Sequence, residues 1–155
     1  MKLTHSVKSA SYNVLILGLL LFLVLSGCNI YVDEKEGAVS TEPSQLSRDI
    51  IGTWILVGTP DEIGEPPESG GRFKFITDRH WVITHADPNT GEVIYHHGGT
   101  YTLKGDEYVE SVDYASENTN YLINNSYKFK VAVEGDKLTQ IGIGNDWNEV
   151  WKRAK

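Results

Sequence analysis

A carboxylate and several aromatic side chains fall on the same face of the predicted strands in the second half of the chain. Along these segments polar and apolar residues alternate, so residues two positions apart point the same way. The candidate ligand-binding residues on the apolar face are Trp81, Tyr95, Tyr101, Tyr108, Glu110 and Tyr127. A buried carboxylate needs hydrogen-bond partners, and an aromatic wall with few polar groups suits a small polar or glycan-like ligand. Alternatively, the tyrosines are core or rim residues with hydroxyls in solvent.

Four histidines, His80, His85, His96 and His97, lie on two strands that we expect to pair. Neighbours in a strand face opposite sides, so at most one of His96 and His97 can point into a given site. Zinc generally needs three or four protein ligands. The sequence has no H-E-x-x-H motif and only one cysteine. We therefore expect exposed strand histidines, with no metal and no cofactor.

Motifs of the common enzyme classes are missing from the sequence. The glycine-bearing segments GGTYTLKG and GIGNDW are read as turns rather than phosphate loops, because no strand-to-helix context surrounds them. There is no G-x-S-x-G nucleophile motif. Carboxylate pairs are too common in so acidic a chain to indicate a glycosidase. We expect a binding protein rather than an enzyme.

An apolar run of twelve residues, 14–25, lies close to the beginning of the chain. As a helix it would reach roughly 18 Å, whereas a bilayer core of about 30 Å requires about 20 residues. Lys2 and Lys8 precede the run and small residues follow it. This arrangement of a basic start, a short apolar core and small residues is typical of a secretory signal peptide.

The signal-like segment ends at Cys28, the only cysteine. The sequence Leu25-Ser26-Gly27-Cys28 resembles the lipobox of bacterial lipoproteins. The resemblance implies that the Cys28 thiol receives a diacylglyceryl group, that the chain is cut just before it, and that acyl chains there tether the protein to a membrane. An ordinary signal peptide, or a short anchor with a chance cysteine, is the alternative.

The chain divides into three parts on this interpretation. Residues 1–27 are a signal peptide, residues 28–49 a lipidated cysteine with an acidic flexible tether, and residues 50–155 the folded domain. Removal of the signal takes away two lysines and no acid, which moves the formal net charge from −7 to −9. Such a surface disfavours nucleic acid. We expect a cell-envelope lipoprotein anchored in the outer membrane, facing either the periplasm or the cell surface.

The folded domain has a period of two, interrupted by Gly, Asn, Asp and Pro turns. The predicted strands are 51–57, 72–76, 80–85, 93–97, 99–103, 108–114, 126–133, 137–143 and 147–153. We expect Phe73 and Phe75 to face inward. The segment after Ser44 is either a short helix capped by Ser44 and ending before Gly52, or coil. The alternation predicts an all-β fold, an antiparallel up-and-down barrel of eight to ten strands rather than a parallel βαβ sheet.

The ends of the domain favour a barrel over a sandwich. Gly52-Thr53-Trp54 resembles the G-x-W that opens the first strand of lipocalins and fatty-acid-binding proteins, together called calycins. The resemblance implies that Trp54 closes one end of the barrel and that a basic residue near the C-terminus packs across it. We expect Arg153 in that role, with Lys152 the other candidate. A guanidinium over an indole contributes about 0.5–2 kcal/mol.

The region from Ile51 to Lys155, with its GGTYTLKGDEYVE run and final Trp-Lys-Arg, is similar to small lipocalin-like lipoproteins of the Bacteroidetes type. That resemblance implies the fold rather than a defined activity. Because the chain is shorter than a typical lipocalin and has no counterpart of the lid helices of fatty-acid-binding proteins, we expect a small or partly filled cavity. We expect a small-molecule ligand, glycan-like or hydrophobic, or support of nutrient uptake. Trp147 is a candidate carbohydrate platform, or an ordinary packing residue. The alternative function is a protein–protein module, such as a hydrolase inhibitor or structural accessory in the envelope.

Overall fold

The structure, a computed structural model, describes residues 42–155. The predicted signal peptide, Cys28 and most of the predicted tether lie outside the described residues. One short α-helix, nine strands and one 3₁₀ helix follow each other along the described chain. They are α1 (Gln45–Asp49), β1 (Gly52–Thr59), β2 (Glu62–Ile63), β3 (Gly71–Ile76), β4 (His80–Ala86), β5 (Val93–Lys104), β6 (Glu107–Ala115), the 3₁₀ helix (Glu117–Leu122), β7 (Ser126–Glu134), β8 (Lys137–Ile143) and β9 (Asn148–Arg153).

Eight of the strands form a closed antiparallel barrel. From β3 to β9 each strand pairs with the next in sequence, and β1 pairs with both β3 and β9. The closing register places Trp54 opposite Arg153 and Leu56 opposite Trp151. The two-residue strand β2 forms a hairpin with the end of β1. The prediction of an up-and-down barrel of eight to ten strands is confirmed.

The short helix α1 precedes the barrel. Ser44 caps it, since the Ser44 hydroxyl accepts from the backbone N–H of Ser47 at 3.1 Å. Ile50 follows the helix and is completely buried in the core. In residues 42–155, none of the helices has the length and apolar character needed to cross a bilayer. Of the two structures considered for this segment, a capped helix and coil, the capped helix is the one observed.

The two strands predicted as 93–97 and 99–103 form one strand, β5. The pairing of β5 with β6 shifts register between these glycines. A methyl group on Gly98 would lie 2.5 Å from the Trp81 carbonyl oxygen, and one on Gly99 would overlap the Ser111 carbonyl oxygen. The glycines therefore permit a close approach of neighbouring strands at an irregularity in the ladder rather than ending the strand.

The interior of β3 differs from the prediction. Phe73 and Phe75 face outward, with their rings stacked 6.4 Å apart, and Phe75 is 41% exposed. Lys74, between them, is completely buried. The inward assignment of the two phenylalanines was wrong because the alternation was read with the aromatic residues inside. The charge on Lys74 is accommodated by partners on other strands, which cannot be recognised in β3 itself.

The core fills one part of the barrel and continues to its closed end. Its buried apolar residues are Ile50, Trp54, Ile76, Trp81, Ile83, Tyr108, Val112, Leu122, Phe129, Val131, Leu138 and Trp151. The 3₁₀ helix contributes Leu122 to this cluster from the connection between β6 and β7. The helix therefore anchors one side of the barrel mouth to the core.

Candidate functional site

One end of the barrel is closed by Trp54 and Arg153. The Arg153 guanidinium carbon lies 4.1 Å from the centre of the Trp54 ring. Arg153 also donates to the backbone oxygens of Asp49 at 2.7 Å and Ile51 at 2.9 Å. The indole Nε1 of Trp54 donates to the Ile50 oxygen at 2.8 Å. The two residues expected to close the barrel are thus in contact, and they fix the segment that joins α1 to β1.

A charged cluster lies inside the barrel. Lys74 of β3 donates from Nζ to Glu110 of β6 at 2.8 Å and to Gln140 of β8 at 2.7 Å. All three residues are at most 2% exposed. Their strands are not neighbours in the sheet, because β3, β6 and β8 are separated by others. The cluster therefore connects distant parts of the barrel wall across its interior.

Aromatic rings surround the Lys74 ammonium. Its Nζ lies 4.9 Å from the ring centre of Trp151, 5.7 Å from that of Trp81 and 5.9 Å from that of Phe129. These distances permit cation–π attraction, which strengthens when the cation is desolvated. Burial raises the pKa of the Glu110 carboxyl, and Lys74 opposes that rise. The rings and the carboxylate together replace the water that Lys74 loses on folding.

A cavity of about 300 Å³ extends from this cluster to the open end of the barrel. Its polar and ionisable lining residues are Arg72, Tyr95, His97, Glu110, Gln140 and Glu149. Its other lining residues are Ile83, Thr119, Tyr121, Leu122, Phe129 and Trp147. The volume is at the lower end of the range for small-molecule sites. Glu110 and Gln140 belong both to the cavity wall and to the buried charged cluster.

Arginine and glutamate form an ion pair at the cavity wall. The Arg72 Nη1 lies 3.3 Å from Glu149 Oε1, joining β3 to β9. The guanidinium carbon of Arg72 lies 5.6 Å from the ring centre of Tyr95. Burial is the main cause of a raised pKa of the Tyr95 hydroxyl. The phenol thus stays neutral at physiological pH and can donate or accept a hydrogen bond.

Two further aromatic residues flank the cavity at its solvent side. Trp147 is 39% exposed, and its ring lies 4.4 Å from that of Tyr127. Tyr121 of the 3₁₀ helix is 71% exposed. Each presents an apolar ring together with a polar atom to solvent. They provide surfaces on which a flat part of a ligand can stack.

The histidine in the cavity wall is uncharged at neutral pH. Burial is the largest cause that lowers the pKa of His97 to about 4, and the charges of Lys74 and Arg72 act in the same direction. The ring stacks 5.7 Å from that of Tyr95. Its Nδ1 is buried and has no hydrogen-bond partner in residues 42–155. The expectation of exposed histidines is wrong for His97, because its strand parity turns it inward beside Tyr95.

The other histidines do not join a metal site. His80 and His96 are exposed, and His85 is half-buried against the Tyr95 ring at 5.1 Å. Over the described range, no three His, Cys, Asp or Glu side chains come together as metal ligands. The histidines of residues 42–155 therefore do not belong to a set of side chains that could ligate a metal ion.

Two of the six candidate ligand-binding residues, Tyr95 and Glu110, line the cavity. Trp81 and Tyr108 are buried in the core instead. Tyr101 is half-buried and donates to the Thr77 oxygen at 2.7 Å. Tyr127 does not line the cavity and packs against Trp147, with the two ring centres 4.4 Å apart. Side-chain parity selects the barrel interior, but it does not distinguish the filled part from the open part.

Sequence reasoning missed the inward roles of Lys74, Arg72, Gln140 and Glu149. A signal was present for two of them, since Gln140 shares its parity with the buried Leu138, and Glu149 shares its parity with Trp151. Lys74 and Arg72 share their parity with Ile76, but the two phenylalanines of β3 gave the opposite face the stronger apolar signal. A polar residue two positions away from a buried apolar residue in the same strand is therefore the sequence feature that indicates a place in the cavity wall.

No protein-family model matches the chain, and no curated protein matches it. Its fold is similar to that of a lipocalin-like protein from Bacteroides uniformis, with 17% identity and a TM-score of 0.48 over 68% of this chain and 99% of that one. It is also similar to an uncharacterized protein from Bacteroides eggerthii, with 16% identity and a TM-score of 0.47 over 67% and 98% of the two chains. At this identity the comparison concerns the fold alone. The eight-stranded up-and-down barrel that the sequence predicted is an architecture found in lipocalins, among other proteins.

Proposed function

We propose that this barrel binds a small ligand in the cavity at its open end. The observation that carries the proposal is the cavity of about 300 Å³ with Glu110 and Gln140 in its wall and Trp147 at its solvent side. Ligand sites are concave and largely preformed, with aromatic walls and a few polar groups that fix orientation. An interior filled by side chains is equally compatible with eight strands. The unfilled volume therefore favours binding.

The proposed role is binding without chemical conversion of the ligand. Both carboxylates in the cavity wall are held in ion pairs, Glu149 with Arg72 and Glu110 with Lys74. A general acid or base must be free to exchange a proton with a substrate. Residues held in ion pairs are better suited to shaping a site than to proton transfer.

The proposed location is the bacterial outer membrane, through lipid attached to Cys28. The support is the sequence Leu25-Ser26-Gly27-Cys28 after a short apolar run. The predicted tether, residues 28–49, would separate the lipid from the barrel. A soluble barrel held in this way can capture a ligand in the periplasm or at the cell surface, and can support its uptake.

The test is a thermal-shift screen of the purified full-length chain against metabolites and glycans. A ligand in the cavity should raise the melting temperature of the wild type. Ile83→Phe, which enlarges a residue of the cavity wall, should reduce that shift. Ile141→Phe makes the same change at a residue that is 36% exposed on the exterior, and should leave it unchanged. Equal shifts in both variants, or no shift with any compound, would contradict the proposal.

The exterior of β3 favours a second candidate function, a protein–protein module. Phe73 and Phe75 stack on the outer surface, and Phe75 is 41% exposed. Exposed aromatic groups of this kind are enriched at protein interfaces. If this surface carries the function, Phe75→Ser should abolish binding of an envelope protein partner while leaving the ligand-induced thermal shift intact.

A further inference from the structure

We infer that the cavity selects an uncharged ligand that presents a hydroxyl or carbonyl oxygen to Gln140. This inference rests on the proposed function, because it names the chemical class that the same cavity takes. It separates an uncharged polar ligand from the two other classes that barrels of this size accommodate, apolar chains and charged molecules.

The charges of the cavity wall are already balanced by ion pairs. Lys74 is paired with Glu110 at 2.8 Å, and Arg72 is paired with Glu149 at 3.3 Å. Both ion pairs join strands that are apart in the sheet, so they are part of the barrel's own structure. A charged ligand would have to break one of these pairs or enter without a counter-charge, and desolvating an unpaired charge is costly. An uncharged ligand avoids that cost.

The amide group of Gln140 has a fixed orientation in the cavity wall. Lys74 has only donors on its ammonium group, so the amide oxygen of Gln140 must face it. The amide nitrogen is consequently directed away from Lys74. This Nε2 is buried, and within the described part of the chain it has no hydrogen-bond partner. A buried donor without a partner is costly, and an acceptor oxygen on a ligand in the cavity would satisfy it.

Two other residues that line the cavity also carry buried polar atoms without a partner among residues 42–155. Arg72 Nε and His97 Nδ1 are also buried without a partner in the described chain. Gln140 Nε2 and Arg72 Nε can only donate, whereas a neutral imidazole offers one donor and one acceptor. An apolar chain would leave all three atoms unsatisfied. A ligand with hydroxyl or amide groups offers the donors and acceptors that these atoms lack.

Two exposed aromatic residues line the cavity at its solvent side. Trp147 and Tyr121 are 39% and 71% exposed. They offer ring faces next to the polar wall, so the ligand can combine an apolar face with polar edges. A hydroxylated ring has this combination, since its C–H bonds form faces and its hydroxyls form edges.

The experiment compares matched ligands on the purified full-length chain by calorimetry. The uncharged probes are glucose, galactose and N-acetylglucosamine. Glucuronate and galacturonate add a carboxylate, glucosamine and galactosamine add an ammonium group, and laurate represents an apolar chain. We expect at least one uncharged probe to bind with a Kd at least about tenfold lower than its charged counterparts, a difference of about 1.4 kcal/mol. Tighter binding of a charged counterpart, binding of laurate alone, or binding of no sugar would overturn the inference.

Gln140→Glu tests the role of the amide nitrogen. The substitution keeps an oxygen for Lys74 but replaces the donor by an acceptor, so binding of the uncharged probe should weaken about tenfold. Gln45→Glu makes the same change at an exposed residue of α1 and should leave the Kd unchanged. Unchanged affinity in folded Gln140→Glu would overturn the assignment. If Gln140→Glu does not fold, the comparison of probes on the wild type still decides the ligand class.

The failures of the inference and of the proposed function are distinguishable. Binding of laurate or a charged probe that Ile83→Phe weakens would overturn the inference while leaving cavity binding in place. Binding of none of these probes, together with no hit in the broader screen, would overturn both.

Discussion

The Lys74 ammonium lies 2.8 Å from the Glu110 carboxylate inside the barrel, where the two side chains are 0% and 3% exposed. The pair joins β3 to β6 and lies at the boundary between the packed core and the open cavity. Because an uncompensated charge cannot remain in this interior at low cost, each residue requires the other. The pair therefore fixes which face of β3 is turned inward.

Removal of one partner from this pair should destabilise the domain strongly. Lys74→Met leaves Glu110 buried without its cation, and we expect the free energy of unfolding to fall by about 3–5 kcal/mol. Glu110→Gln should also be destabilising. The double variant should lose less than the sum of the two single losses, because no unpaired charge remains. Urea unfolding of the four proteins measures this coupling, and strictly additive losses would show that the pair is energetically independent.

The closed end of the barrel should depend on Trp54 and Arg153. We expect Trp54→Ala to reduce the free energy of unfolding by about 3–5 kcal/mol, because it leaves a cavity in the core. Arg153→Ala should cost about 1–3 kcal/mol, because the backbone oxygens of Asp49 and Ile51 lose their donors. Lys152→Ala is the matched control at the neighbouring basic residue. A loss below about 1 kcal/mol for Trp54→Ala would contradict its role as the barrel plug.

The domain should become less stable as the pH is lowered, because His97 is protonated more readily in the unfolded chain than in the folded one. In the unfolded chain this imidazole takes up a proton near its ordinary pKa of 6.5, whereas the folded state resists protonation until about pH 4. The unfolded state therefore binds more protons between these values, and the free energy of unfolding decreases as pH falls from 6.5 towards 4. Each pKa unit corresponds to at most about 1.4 kcal/mol.

The measurement for His97 is urea unfolding at pH 7.5 and at pH values down to 4.5. His97→Asn should show a smaller decrease in stability over this range than the wild type. His80→Asn, at an exposed histidine, should behave like the wild type. A decrease of the same size in His97→Asn and the wild type would mean that another group is responsible.

The close approach of strands at Gly99 should make that position intolerant of a side chain. A methyl group there would overlap the Ser111 carbonyl oxygen, so Gly99→Ala must displace the β5–β6 ladder. Gly64→Ala is the matched control, since its added methyl would lie at an ordinary 3.4 Å from the Val57 oxygen. We expect thermal unfolding to show a clearly larger loss of melting temperature for Gly99→Ala. Equal losses would contradict the role of Gly99 in strand packing.

Lipidation at Cys28 remains a prediction from the sequence. Cys28→Ala should abolish incorporation of a labelled fatty acid into the chain and release the protein from the membrane fraction. Ser26→Ala changes a neighbour and should preserve labelling. Processing of the native chain that is insensitive to globomycin would contradict the lipoprotein assignment.

The barrel could be predicted from the sequence because two local signals agree along the folded domain. Alternation with period two identified the strands, and Gly, Asn and Asp identified the turns. The closure could be anticipated because Gly52-Thr53-Trp54 resembles the G-x-W of calycins, which implies that a basic residue such as Arg153 packs across Trp54. These features are local or depend on a single long-range pair.

The open cavity could be predicted only in part. Tyr95 and Glu110 were found because their parity matches that of buried neighbours. The inward position of Lys74 was not found, because its acceptors on β6 and β8 come together only after the barrel has closed. The same reason applies to Arg72, whose partner Glu149 lies 77 positions later. Contacts across a barrel interior depend on strand register, which alternation alone does not supply.

The most direct test of cavity binding is a crystal structure of the chain with an uncharged probe that binds in calorimetry. We expect ligand density in the cavity between Gln140 and Trp147, with a ligand oxygen within hydrogen-bond distance of the Gln140 amide nitrogen. Ligand density outside the barrel, with the cavity unoccupied or closed by side chains, would contradict it.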